Sequence, residues 1–143
     1  MKKLLLIAIL LGAGYVAFIQ DSPLWLSAGT AHESDQVFAS AFDSRRSGFQ
    51  VEGRGVVVRL LADDVDGDRH QKFVIRLNSG QTLLMTHNID LAPRIADLRQ
   101  GDVVLFRGEY EWNSEGGVIH WTHRDPAGRH SAGWLKHDGR TYQ

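Results

Sequence analysis

From Gln50 onward the chain repeats one kind of unit: a short run with apolar residues at every second position, closed by a turn rich in Gly, Asn or Asp. In the run beginning at His70, Phe73, Ile75 and Leu77 share one face, while Lys72, Val74 and Arg76 share the other. That is the alternation of a strand buried on one side only. Residues 51–61, 82–87 and 118–123 read as further strands. So does a run with Val104, Phe106 and Tyr110 on one face and Arg107, Glu109 and Glu111 on the other. Between the third and fourth strands, Ile95 and Leu98 lie three apart with Gly101 behind them, which predicts one or two helical turns. Five strands with a short helical connection after the third is the order of an OB barrel.

Local turn chemistry sharpens the register. If Asn113-Ser114-Glu115-Gly116 is a four-residue loop, Tyr110 faces Ile119 and Glu109 faces His120; a slip of one residue would scramble both faces. Near the end, Asp138-Gly139 suits a two-residue turn, placing Leu135 opposite Tyr142 with His137 and Arg140 beside the turn. A short helix is expected from Ser34 or Asp35, with Val37, Phe38, Ala41 and Phe42 on one stripe, Arg45 and Arg46 in its last turn, and Gly48 as its stop. The expected fold is therefore mainly β: a small five-stranded OB-like barrel with a short N-terminal helix and a C-terminal hairpin, preceded by an N-terminal apolar helix.

That apolar helix follows from Lys2 and Lys3 standing before an uncharged run from Leu4 to Ile19. As a helix it would rise about 24 Å, on the border between a signal sequence and a thin anchor. The nearest small-x-small site, Gly29-Thr30-Ala31, lies well past the run, so the segment is read as an uncleaved anchor facing the periplasm from the inner membrane. If it were cut, the domain would be secreted to the periplasm. Residues 1–20 are thus assigned to a signal sequence or anchor, 21–33 to a tether and 34–143 to the domain. Trp25 suits a membrane interface. The formal net charge is -1, from 16 basic and 17 acidic residues, which offers no overall attraction for nucleic acid. With no cysteine, disulfides, thiolate metal sites and a cysteine nucleophile are excluded.

The chemistry gathers toward the C-terminus, where His120, His123, His130 and His137 stand among Trp121, Trp134, Arg124 and Arg129. Two or three imidazoles with Asp125 would suit one divalent transition metal, giving His120, His123, Asp125 and His130 as candidate ligands. They could meet only if the strand bends near Thr122, and Asp125-Pro126-Ala127-Gly128 supplies turn chemistry close by. Alternatively, ordinary pairings such as His120 with Glu109 satisfy the imidazoles. A third reading is a binding face, with Trp121, Arg124, Arg129 and Trp134 contacting an anionic oligomer, either a glycan or a nucleic acid. The acidic run 63–68 invites calcium, but Arg69 and Ile75 stand where an EF-hand counted from Asp64 needs Gly and Glu, so it reads as a solvated hairpin loop.

Three stretches carry a resemblance: His87-Asn88-Ile89-Asp90-Leu91-Ala92-Pro93, then Gly108-Glu109-Tyr110-Glu111-Trp112, then His120-Trp121-Thr122-His123 with Asp125-Pro126, Gly128, His130, Gly133-Trp134 and Tyr142-Gln143. Together they resemble a bacterial family of short exported proteins of unknown function, over residues 50–143, and the resemblance implies a domain without implying an activity. Asp66-Gly67-Asp68 is also similar to the acidic turn of thermonuclease-type OB barrels, but Arg69-His70 follows and no catalytic glutamate can be placed. His120-Trp121-Thr122 fits one half of a 2H phosphoesterase motif, with no partner half on a second strand. The leading expectation is an exported, membrane-anchored binding module. The alternative is a metal-dependent hydrolase of phosphodiesterase or nuclease type, using the C-terminal histidines with Arg124 or Arg129 stabilising an anionic transition state.

Overall fold

A computed structural model describes the backbone of residues 24–143 and the side chains of residues 33–143. The apolar run at 4–19, and with it the anchor expectation, lies outside the described residues. Among the described residues no helix is long and apolar enough to cross a membrane. The chain divides into two compact units, Met1–Thr30 and Ala31–Gln143; the second contains the whole sheet.

Helix α1 (Leu24–Asp43) begins well before the expected cap at Ser34 or Asp35 and runs through much of the residues read as a tether. A single glycine such as Gly29 costs a helix about 1 kcal/mol relative to alanine, which flanking residues of good propensity offset. Within the second unit, Phe38 and Ala41 are fully buried and Val37 packs beside them, as the stripe predicts. The helix stops at Arg45 rather than at Gly48. Arg45 takes a left-handed φ of 53°, its amide donates to the Phe42 carbonyl and the Arg46 amide donates to that of Ala41, the paired bonds of a Schellman cap. An arginine is tolerated in this conformation because its guanidinium lies 5.2 Å from the Trp112 ring centroid.

Seven strands follow: β1 (Phe49–Leu60), β2 (His70–Arg76), β3 (Thr82–Asn88), β4 (Val103–Glu111), β5 (Val118–His120), β6 (Trp134–His137) and β7 (Arg140–Tyr142). The first five close on themselves in the order β1-β2-β3-β5-β4, with β4 returning to β1. Only β3 and β5 run parallel, so this is a closed OB-like barrel. β1 serves two neighbours, pairing with β4 over residues 49–56 and with β2 from Val56 onward past a bulge at Val58. It can coil so tightly because of its glycines: a Cβ on Gly53 would sit 2.5 Å from the Phe106 ring. Phe106 and Tyr110 fill the interior against Phe38, each with its ring centroid 5.9 Å from that of Phe38.

The hairpin registers hold as expected. Tyr110 pairs with Ile119 and Glu109 with His120. Leu135 pairs with Tyr142, across a turn in which Asp138 and Gly139 have φ of 46° and 74°. The expected helical turns between β3 and β4 are absent. Ile95 and Leu98 are buried, but the Ile95 amide and carbonyl are both bonded to the Gln71 side-chain amide, each at 2.9 Å. A buried glutamine thus takes the backbone groups a helix would have paired, and Pro93 lacks an amide hydrogen altogether. The acidic loop is held by cations from elsewhere: Arg94 grips Asp63 through two nitrogens at 2.8 and 3.2 Å, and Lys72 lies 3.9 Å from Asp64.

Candidate functional site

Alternation along β2, β3, β4 and β5 sends one set of side chains into the barrel and the other onto its outer face. Register aligns two rows on that outer face. Lys72, Thr86, His120 and Glu109 form the first; Val74, Leu84, Val118 and Glu111 form the second. Two cavities open along them. One of about 220 Å3 is lined by Asp68, His70, Thr86, Asn88, Leu91, His120, Trp121 and His123. The other, about 380 Å3, is lined by Asp64, Lys72, Leu84, Glu111 and Val118. They adjoin at His70, Thr86 and His120, which line both, and together form a grooved face beside the β1–β2 loop.

The bend that sequence placed near Thr122 falls at Trp121, the residue after β5, which takes a left-handed φ of 54°. A tryptophan in that region is uncommon and strained. Its consequence is that His120 remains on the outer face while Thr122 turns into the core. The Trp121 ring stacks on His130 with centroids 4.0 Å apart and planes within 3°, and lies 5.3 Å from the His123 ring. Gly133 permits this packing, since a Cβ there would come 1.9 Å from the Trp121 carbonyl oxygen.

The histidines divide by the partners they have. His87 points inward and is fully buried; Nε2 donates to the Pro93 carbonyl at 3.1 Å and Nδ1 accepts from the Thr122 hydroxyl at 2.8 Å. Burial lowers its pKa to about 4, against the opposing pull of the Pro93 carbonyl. His137 bonds Asp102 at 2.7 Å, which together with the Arg99 amide, the larger influence, holds that carboxyl below the usual range. His70 and His123 tie Nδ1 to the carbonyls of Asp68 and Arg124, both at 2.8 Å, leaving Nε2 without a proton in the neutral ring. His120 is different. Its Nε2 lies 3.8 Å from one oxygen of Glu109 and 3.8 Å from one of Glu111, beyond hydrogen-bond range of either.

The four expected metal ligands do not converge as a set. Asp125 is occupied as a loop cap, accepting the amides of Ala127, Arg129 and His130; the first of these contributes most to holding its pKa below the ordinary value. His123 lines the cavity with its Nδ1 held by backbone, while His130 reaches Glu109 at 2.8 Å. Among the described residues, the group with three ligand atoms within 4.8 Å of one another is Glu109, Glu111 and His120. The expected ligand-binding residues separate as well. Trp121 lines the groove, but Trp134 sits on β6 opposite Arg107 under the Lys136 ammonium, 4.4 Å from its ring centroid, and Arg124 and Arg129 are exposed outside the groove lining. Glu111 was missed, although the alternation that placed Glu109 puts it on the same face one pleat on.

A family model described as a protein of unknown function, DUF3465, matches residues 22–143. The chain belongs to the DUF3465 family. No curated protein matches it. The DUF3465 match spans α1, the barrel and the C-terminal hairpin, so the groove and the loop that carries Trp121 and His130 both lie inside the family's domain.

Proposed function

We propose that this DUF3465 domain is a binding module for a short, hydroxyl-rich oligosaccharide laid along the outer face of β2, β3 and β5. We further propose that residues 4–19 hold the domain on the periplasmic side of a membrane. The observation that carries the binding reading is the pair of cavities that adjoin at His70, Thr86 and His120. It lies on the strand 2–3 face beside the β1–β2 loop, where OB barrels take up oligomers. Its chemistry favours a glycan over a nucleic acid. Asp64, Asp68 and Glu111 line it against one lysine, so a phosphate backbone would meet like charge, whereas sugar hydroxyls would find acceptors. Trp121, Leu84 and Val118 provide apolar surface for the faces of sugar rings. The uncharged run behind Lys2 and Lys3 supports the membrane placement.

NMR titration with a panel of short neutral and acidic oligosaccharides, and with a single-stranded oligonucleotide, tests this. Shifts are expected at Thr86, His120 and Trp121 with a saccharide, and Trp121→Ala should weaken binding tenfold or more, about 1.4 kcal/mol. Tighter binding of the oligonucleotide, or shifts confined to the Trp134 side, would overturn it. Alkaline extraction of membranes tests the anchor: full-length chain should stay with the membrane and a chain lacking residues 1–20 should not.

A further inference from the structure

We infer that Glu109, Glu111 and His120 form a binding site for one divalent first-row transition ion, best suited to Zn2+, on the outer face of the barrel. The inference goes beyond the saccharide reading and does not depend on it. The three donors come from two paired strands. Glu109 and Glu111 are two apart on β4 and therefore project to the same side, and His120 stands opposite Glu109 on β5. Strand positions hold ligands more rigidly than loop positions, so the triangle is fixed by the barrel itself.

The geometry is that of a site, and an ordinary pairing does not account for it. His120 Nε2 is the one buried side-chain nitrogen or oxygen among the described residues that lacks a hydrogen-bond partner. It faces two carboxylate oxygens, each 3.8 Å away, which would be good acceptors if they were closer. Leaving a buried polar atom unsatisfied costs about 1–3 kcal/mol, and placing two carboxylates together on one strand face adds repulsion. A dication between the three atoms removes both costs. Donors bound at about 2.0–2.2 Å in tetrahedral arrangement stand roughly 3.3–3.6 Å apart. The two edges from His120, each 3.8 Å, therefore close with small side-chain adjustments, and the edge between the carboxylates, within 4.8 Å, closes by rotation of the glutamate side chains. One imidazole with two carboxylates is a donor set for zinc rather than for a purely oxygen-liking ion. The fourth position faces the groove, because Glu111 and His120 both line it.

An outer layer orients these ligands. The second oxygen of Glu109 lies 2.8 Å from His130 Nε2, an ion pair when that imidazole is protonated, which leaves the first oxygen for His120. His130 is in turn held flat against Trp121. Carboxylates that bind metal are commonly steadied in this way, and loss of such a partner weakens binding about 10- to 100-fold.

Full-length chain carrying no polyhistidine tag should be stripped with chelator and titrated with Zn2+ by calorimetry, with bound metal checked by elemental analysis. One equivalent is expected. His120→Gln, Glu109→Gln and Glu111→Gln should each weaken binding more than 100-fold, and His130→Gln about 10- to 100-fold at unchanged stoichiometry. Glu115→Gln, in the neighbouring loop, should bind as wild type. Circular dichroism of each variant in chelator establishes folding. If His120→Gln fails to fold, Glu111→Gln at its half-exposed position decides, together with ring-nitrogen NMR of the wild type, in which Zn2+ should shift His120 Nε2 first. A folded wild-type protein that binds no stoichiometric Zn2+, or one equivalent that survives in Glu111→Gln and shifts another histidine, would overturn the site.

Discussion

The inner and outer sides of the same two strands treat histidine in opposite ways. On the inner side, His87 of β3 meets Thr122 and Pro93, so both ring nitrogens are satisfied and the charged form is driven out. On the outer side, His120 of β5 keeps a buried nitrogen facing two carboxylates it does not bond. The first is built for the fold, which is complete without anything else. The second leaves a nitrogen that the fold itself does not pair, which is why the proposed ion is placed there.

Substitution should separate the two sides most sharply at His87. His87→Leu orphans the Thr122 hydroxyl and the Pro93 carbonyl in the core, at about 1–3 kcal/mol each, so urea unfolding at neutral pH should show a loss of roughly 4 kcal/mol. A loss below about 1 kcal/mol would erase the contrast. The next effect is on pH dependence. Because the folded pKa of His87 lies near 4 and the unfolded value near 6.5, the unfolded chain takes up the proton first. Stability from this residue is complete above about pH 6.5, falls as pH drops toward 4 and levels off below; the fall amounts to roughly 3 kcal/mol. The difference between wild-type and His87→Leu stabilities across that window isolates it, and a constant difference would contradict the assignment. The smallest effect belongs to the outer side. His120→Leu, measured in chelator, should cost nothing and gain up to about 1 kcal/mol, because an unsatisfied nitrogen is removed. A loss of several kcal/mol would return His120 to the fold-building class.

Much of this architecture was legible where short-range rules decide it. Alternation and the Asn113–Gly116 loop fixed Tyr110 against Ile119 and Glu109 against His120, and the Asp138-Gly139 turn fixed the last hairpin. Two of the three clustered donors, Glu109 and His120, followed from the same rule. The rest depends on groups far apart in sequence. Gln71 takes the Ile95 backbone from across the barrel and dissolves a helix the spacing predicted. Asp125 resembled a metal ligand by composition, yet three amides of its own loop claim it. His130 meets Glu109 only because Trp121 accepts a strained backbone and Gly133 leaves room, and neither is visible as a spacing.

β5 is too short to cover its side of β4. It pairs at Glu109–Glu111, and β6 takes over at Leu105–Arg107. An uncovered strand edge is a template on which a second chain can add itself, the first step toward fibrous assembly. The C-terminal hairpin withdraws that template along β4. A segment that looks like an appendage to the barrel therefore exchanges the open side of β4 for the three-residue edge of β7, and short edges are poor templates.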